Sequence, residues 1–183
     1  MNLLILHSNN MTRQQNQLTS IFFFAMLTAC GQLPAANSTL CRANEEVIFS
    51  CPLKNAKTVS LCSSPQSSKS YLEYRFGVKN KVELKYVATA GDESKSFHKG
   101  EVIYANNSDD IIWFKNGKFV YSLYLPTRGG PGLEVSRAGD VIARHECKGG
   151  WAGVTRNRDA KSKYINDHGK GDLSKFEELW VNP

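Results

Sequence analysis

The feature that most restricts this chain is an alternation of charged and bulky side chains with a period of two. Tyr71-Leu72-Glu73-Tyr74-Arg75-Phe76 and Lys81-Val82-Glu83-Leu84-Lys85-Tyr86 both carry it. In an extended strand such a pattern sends one set of side chains to a core and the other to solvent, whereas a helix would scatter both over every face. Gly77 and Lys79-Asn80 supply the expected turn between the two runs. Residues 111–115 and 118–125 flank Asn116-Gly117, and a type I′ turn there requires positive φ at both central positions. Residues 132–136 and 141–147 predict another hairpin around 137–140, residues 47–51 and 58–62 one around 52–57, and 97–104 a further strand. No long helical period precedes residue 148. The expectation is an all-β domain, an antiparallel barrel or sandwich of about eight strands with a short C-terminal helix or tail.

With 183 residues, 41% of them hydrophobic and 22% charged, one domain with a substantial core is expected and disorder throughout is excluded. The β domain is read over 41–147. Residues 148–183 read as a polar C-terminal extension, in which Asp172 caps a short helix with Leu173, Phe176 and Trp180 on one face. A formal charge of +6 permits weak attraction to phosphate, lipid head groups or an anionic polymer. It is no nucleic-acid signature by itself.

Residues 21–29, Ile-Phe-Phe-Phe-Ala-Met-Leu-Thr-Ala, form an apolar run far short of the roughly 20 residues a membrane span needs. Arg13, the one charge in the first forty residues, lies upstream of it, as in the n-region of a signal peptide. Translation from Met11 would give a compact n-region. The run ends in Leu27-Thr28-Ala29-Cys30-Gly31, which resembles the lipobox of bacterial lipoproteins. That resemblance implies a signal peptide over 1–29, acylation of Cys30 with chains such as palmitate, and a tether over 30–40. Several acyl chains, at about 0.8 kcal/mol per buried CH₂, anchor a protein without a membrane-spanning helix. Gly31 in place of the Asp that retains lipoproteins in the inner membrane implies the periplasmic face of the outer membrane. An ordinary secretory peptide cut near residues 33–36 would instead give a soluble periplasmic or secreted protein lacking Cys30.

Five cysteines are present, and acylation of Cys30 leaves an even set. Cys41, Cys51, Cys62 and Cys147 are then expected as cystines in an oxidising compartment. In the 47–62 hairpin Cys51 and Cys62 lie too far apart along the strands to be bridged. Cys51–Cys147 and Cys41–Cys62 are therefore expected, with a metal site disfavoured because the spacings are not CxxC-like.

No HExxH, nucleophile elbow, Walker loop or GxGxxG occurs, and Arg128-Gly129-Gly130-Pro131-Gly132 lacks the P-loop lysine. No catalytic residue, metal or cofactor is assigned. His98 is placed half exposed on a strand and His168 in the polar tail. Asp92-Glu93 and Asp109-Asp110 read as solvated turns, and the basic residues among the strand aromatics, Arg75 included, as a solvated face. Interleaved aromatics and bases can bind single-stranded nucleic acid, but the export signal argues against it. The lipobox, the all-β domain and an early cysteine able to meet a late one are similar in architecture to the membrane-bound C-type lysozyme inhibitor family. That resemblance implies an eight-stranded barrel presenting an inhibitory loop, with Thr127-Arg128-Gly129-Gly130 and Ser94-Lys95-Ser96-Phe97 as loop tips. The expected function is a non-catalytic envelope binding module of inhibitor or immunity type, recognising an envelope protein or anionic polymer. The alternative is an envelope hydrolase whose residues meet only in the fold.

Overall fold

The computed structural model describes residues 38–65, 70–92, 94–157 and 162–176. Cys30, Glu93 and Trp180 lie outside them. The strands in chain order are β1 (Glu46–Pro52), β2 (Thr58–Ser63), β3 (Tyr71–Val78), β4 (Lys81–Thr89), β5 (Phe97–Ile103), β6 (Ser108–Asn116), β7 (Phe119–Pro126), β8 (Gly132–Arg137), β9 (Asp140–Glu146), β10 (Thr155–Arg156) and β11 (Ile165–Gly171). They form a five-stranded sheet, β10-β1-β2-β3-β4, and a six-stranded sheet, β11-β5-β6-β7-β8-β9. The sheets do not close on each other, so of the two expected architectures the sandwich is the one formed.

Alternation sorts the strands as expected. Phe49, Leu61, Leu72, Tyr74 and Tyr86 from one sheet meet Phe97, Phe114, Leu123 and Leu133 from the other in a shared core. Phe114 is the hub, its ring centroid 4.2 Å from that of Tyr86, 4.8 Å from Tyr74 and 5.0 Å from Tyr121. Offset and tilted aromatic pairs of this kind add about 0.5–1.5 kcal/mol each beyond their burial.

One turn differs in type from expectation. In the β6–β7 hairpin Asn116 pairs with Phe119, so the loop residues are Gly117 and Lys118, and of these only Gly117 has positive φ (61°). Glycine at the first loop position is the requirement of a type II′ turn rather than I′. The I′ conditions are met instead between β8 and β9, where Ala138 (52°) and Gly139 (88°) both have positive φ.

The boundaries at both ends of the domain need correction. Residues 155–156 and 165–171, expected in a polar extension, belong to the β domain, because β10 pairs with β1 and β11 pairs with β5 in parallel, the one parallel pairing among the described residues. At the other end Ser38–Leu40 is not free tether. Ser50 Oγ donates to the Ser38 carbonyl (3.0 Å), and Leu40 N–H donates to Ser60 Oγ (3.0 Å). Residues 38–45 thus form a strap across the outer face of the five-stranded sheet.

The strap buries charges that the alternation had assigned to solvent. Arg75, only 3% exposed, donates to both carboxylate oxygens of Glu45 (2.6 and 2.7 Å), to Glu73 (2.5 Å) and to the Leu40 carbonyl (2.8 Å). Tyr71 Oη and the Arg42 N–H complete the shell around Glu45. Burial alone would raise the Glu45 carboxyl, but Arg75, Tyr71 and the Arg42 amide outweigh it and hold it at about 2.

A second apolar cluster, Val102, Ile111, Trp113, Val120 and Phe176, lies on the outer face of the six-stranded sheet. Asp172 Oδ1 accepts the Lys175 N–H (3.2 Å) and the Ser174 hydroxyl (2.6 Å), starting the expected helical turn. Phe176 is buried on that turn, while Leu173 is exposed. Its ring occupies the space over Gly100, where a Cβ would stand 2.2 Å from Cε1. Gly100→Ala is therefore expected to push the ring off the sheet, a clash of the overpacking kind that costs about 1–3 kcal/mol. Limited trypsin digestion should then cut faster after Lys170 and Lys175, with digestion of β1–β4 unchanged.

Candidate functional site

The outer face of the six-stranded sheet carries the polar chemistry. Register places His98, Trp113, Ser122, Glu134 and Arg144 in one row across β5 to β9. The neighbouring row is Gly100, Ile111, Tyr124, Gly132 and Glu146.

One corner of this face gathers Tyr104, Asp109, Tyr124, Glu134 and Arg144. Arg144 donates through Nε (2.9 Å) and a terminal nitrogen to one oxygen of Glu134, and its guanidinium lies 5.4 Å from the centroid of the Tyr124 ring. Gly132 leaves room for that tyrosine, since a Cβ there would stand 2.5 Å from the phenol oxygen. Burial raises the Asp109 carboxyl, opposed by Tyr104 and reinforced by the adjacent Asp110, and its Oδ1 is buried without a hydrogen-bond partner. Burial, then Asp109 and Glu134, likewise raise the Tyr104 phenol.

Asp109 and Asp110 are thus not a solvated turn. They are successive residues of β6 and point to opposite faces of the sheet. Asp110 turns inward and accepts from Arg156 of β10 (2.6 Å), an ion pair that joins the two sheets. It lies in an open cleft of about 380 Å³ between the β1/β10 edge and β5, β6 and β11. The cleft's other charges are also neutralised in place, Lys99 by Asp167 (2.9 Å) and Lys170 by Glu101 (2.8 Å). This leaves it poorly suited to an ionic ligand.

In the loop Thr127-Arg128-Gly129-Gly130 the first three residues are exposed and Gly130 is half-buried. It is tied to the start of β6 by Thr127 N–H to the Ser108 carbonyl (2.9 Å) and Ser108 N–H to Thr127 Oγ1 (3.1 Å). Ser94-Lys95-Ser96 lies at the start of β5, away from this corner. Cys41–Cys62 and Cys51–Cys147 are both bonded, with Cα separations of 5.4 and 5.6 Å. Among the described residues Cys41, Glu45 and Cys62 are the one close grouping of three metal-ligating types. Both its sulfurs are in the cystine, which removes the thiolates a metal would need.

At the opposite side of the same face His98 meets His168, with Nδ1 of the first 2.9 Å from Nε2 of the second. Both rings lie near that of Trp113, at centroid distances of 5.4 and 5.3 Å and interplanar angles of 20° and 30°. His145 is on the inner face, stacked with Phe76, and serves packing. The sequence carried no sign of the His98–His168 meeting, since seventy residues separate the two. The Glu134–Arg144 pair was readable in principle from the alternation of β8 and β9. Compared with family models, curated proteins and solved structures, the chain matches none.

Proposed function

We propose that this is a cell-envelope lipoprotein, anchored through acylated Cys30 at the periplasmic face of the outer membrane, whose sandwich is a non-catalytic binding module of inhibitor or immunity type. The observation that carries the reading is the disposition of the cysteines. Four lie in two cystines, an arrangement typical of oxidising compartments, and the fifth closes Leu27-Thr28-Ala29-Cys30. The loop Thr127–Gly130, exposed over its first three residues and tied to Ser108 at the start of β6, and the Arg144–Tyr124 pair on the same sheet offer the arginine and tyrosine contacts that protein interfaces favour. An envelope protein is therefore the preferred partner.

In a Gram-negative host the full chain is expected to incorporate labelled palmitate and to fractionate with the outer membrane. Cys30→Ser should abolish both without changing the denaturation midpoint of the exported domain, and label that survives the substitution refutes the anchor. Pull-down from native envelopes should recover one stoichiometric protein. That capture should be lost when Arg128 becomes Glu and kept when His98 becomes Ala.

The raised Asp109 carboxyl favours a second reading, the hydrolase. A glycosidase-type site needs a protonated and an ionised carboxyl that are both free to act. The other carboxylates near this corner are both held, Glu134 by Arg144 and Glu146 by Lys54. Turnover of an envelope polymer that disappears in Asp109→Asn would promote the enzyme over the binder.

A further inference from the structure

We propose that the His98–His168 pair is an acid-sensitive latch, which holds β11 and the Phe176 cover on the six-stranded sheet and releases them when both imidazoles take a proton. The two rings meet edge to edge. Their centroids are 5.2 Å apart, which is the 2.9 Å nitrogen separation extended by the two ring radii, so the nitrogens lie on the line between the rings. This is the geometry of an N–H···N hydrogen bond. It needs one lone pair, and a doubly protonated pair has none.

The surroundings admit one proton and oppose a second. The Trp113 ring can face a single imidazolium favourably. From β6, Lys115 reaches His98 electrostatically. From the C-terminal turn, the Lys175 ammonium bonds the carbonyls of His168 (2.6 Å) and Lys170 (3.1 Å). Asp167 acts on His168 electrostatically and so favours the single proton, while it is also bonded to Lys99 and the Gly169 N–H; Glu101 is engaged with Lys170 and Asp172 with its own turn. At the other edge of His98, Ser96 Oγ lies 3.3 Å from Nε2. Burial, then His168 and Lys115, hold His98 below its ordinary range.

The element the pair restrains is suited to release. β11 is an edge strand, paired in parallel with β5 and interrupted by a register shift between Asp167 and Lys170, with His168 at the shift. The two ion pairs along it persist in mild acid, because Asp167 and Glu101 are both held below the usual carboxylate range. Gly169 N–H and then Lys99 act on the first, Lys170 and then Ser108 on the second. Histidine protonation alone therefore moves the equilibrium in that interval. The closed pair binds at most one proton and the released imidazoles bind two, so the closed fraction falls as pH drops through the ordinary histidine range near 6.5. The limit is about tenfold per pH unit.

Hydrogen exchange of the full chain, corrected for intrinsic rates, reads this directly. Between about pH 7.5 and about pH 5, spanning the histidine range, protection of residues 165–176 should fall by up to tenfold per pH unit while β1–β3 stays level. In His168→Gln the side-chain amide can donate to a neutral His98 or accept from a protonated one and carries no charge, so the closed state no longer excludes the last proton and the pH dependence of protection over that segment should be much weaker than in the wild type. Equal pH dependence in the two proteins, or none in the wild type, overturns the latch. If the variant fails to fold, NMR titration of the wild-type imidazoles decides. The pair should show two separated steps, one well below the ordinary value, and two independent titrations near 6.5 refute the proposal.

Discussion

Arg75→Met is expected to cost about 3–5 kcal/mol of folding stability, because removing one partner of a buried ion pair leaves the opposing charge without compensation. The guanidinium is 3% exposed and the Glu45 carboxylate fully buried, with Glu73 against the same cation. Methionine fills the volume of the stem, so the loss is electrostatic rather than a cavity. The pH dependence of the Glu45 contribution should change sign. In the wild-type protein Glu45 is held at about 2, below its usual 4.5. A group depressed in the folded state contributes stability above its unfolded value and loses it as pH falls toward the folded one. The wild type should therefore lose about 3 kcal/mol from this group between about pH 5 and about pH 2. In Arg75→Met the same buried carboxylate lacks its cation, so acid relieves it, the contribution of this group should rise as pH falls over that interval, and the variant should lose less stability in acid than the wild type. Urea denaturation at several pH values tests this, and parallel slopes for the two proteins would show that the strap does not depend on the ion pair.

The same strap shows where the sequence stops being legible. Alternation in β3 places Glu73 and Arg75 on the face away from the core, and they are there. Whether that face meets water depends on residues 38–45 crossing it, and nothing in the local pattern Ser-Thr-Leu-Cys-Arg-Ala-Asn-Glu shows this. β1 to β9 could be read because each sends alternate side chains to a core face and to an outer face, which is what produces a period of two. β11, Ile165-Asn-Asp-His-Gly-Lys-Gly, has no such period. It becomes a strand because the exposed edge of β5 supplies hydrogen-bond partners, a tertiary cause without a local signal. The candidate site divides in the same way. The loop at Thr127–Gly130 was legible from its glycines, and the cystines from parity and strand geometry. Asp109 was misplaced because adjacent acidic residues suggest a turn, whereas in a strand they simply face opposite ways, one to Tyr104 and the other to Arg156.

Replacing Cys51 and Cys147 together with alanine should destabilise the domain more than replacing Cys41 and Cys62. In the chain-entropy account a cystine acts on the unfolded chain in proportion to the logarithm of the loop it closes. The bridges span 96 and 21 residues, giving about 4–5 and about 3 kcal/mol respectively. Their positions separate them further. Cys51 is in the five-stranded sheet and Cys147 follows the last strand of the meander in the other. The main-chain links at that corner are few: the Leu53–Cys147 bridge with Lys54 N–H to the Glu146 carbonyl (3.0 Å) and Lys148 N–H to the Pro52 carbonyl (2.7 Å). Loss of the bond therefore loosens the join between sheets, and alanine leaves a gap where two buried sulfurs had packed. Cys41–Cys62 instead fastens the strap, which Glu45 and Arg75 continue to hold when the sulfurs are gone. Equilibrium unfolding without reductant should show a lower midpoint for the Cys51/Cys147 variant than for the other, and hydrogen exchange in the Cys41/Cys62 variant should rise chiefly over 38–45. Equal midpoints, or a loosened strap in both variants, would mean that the two sheets are held together by their apolar core and not by the long-range bond.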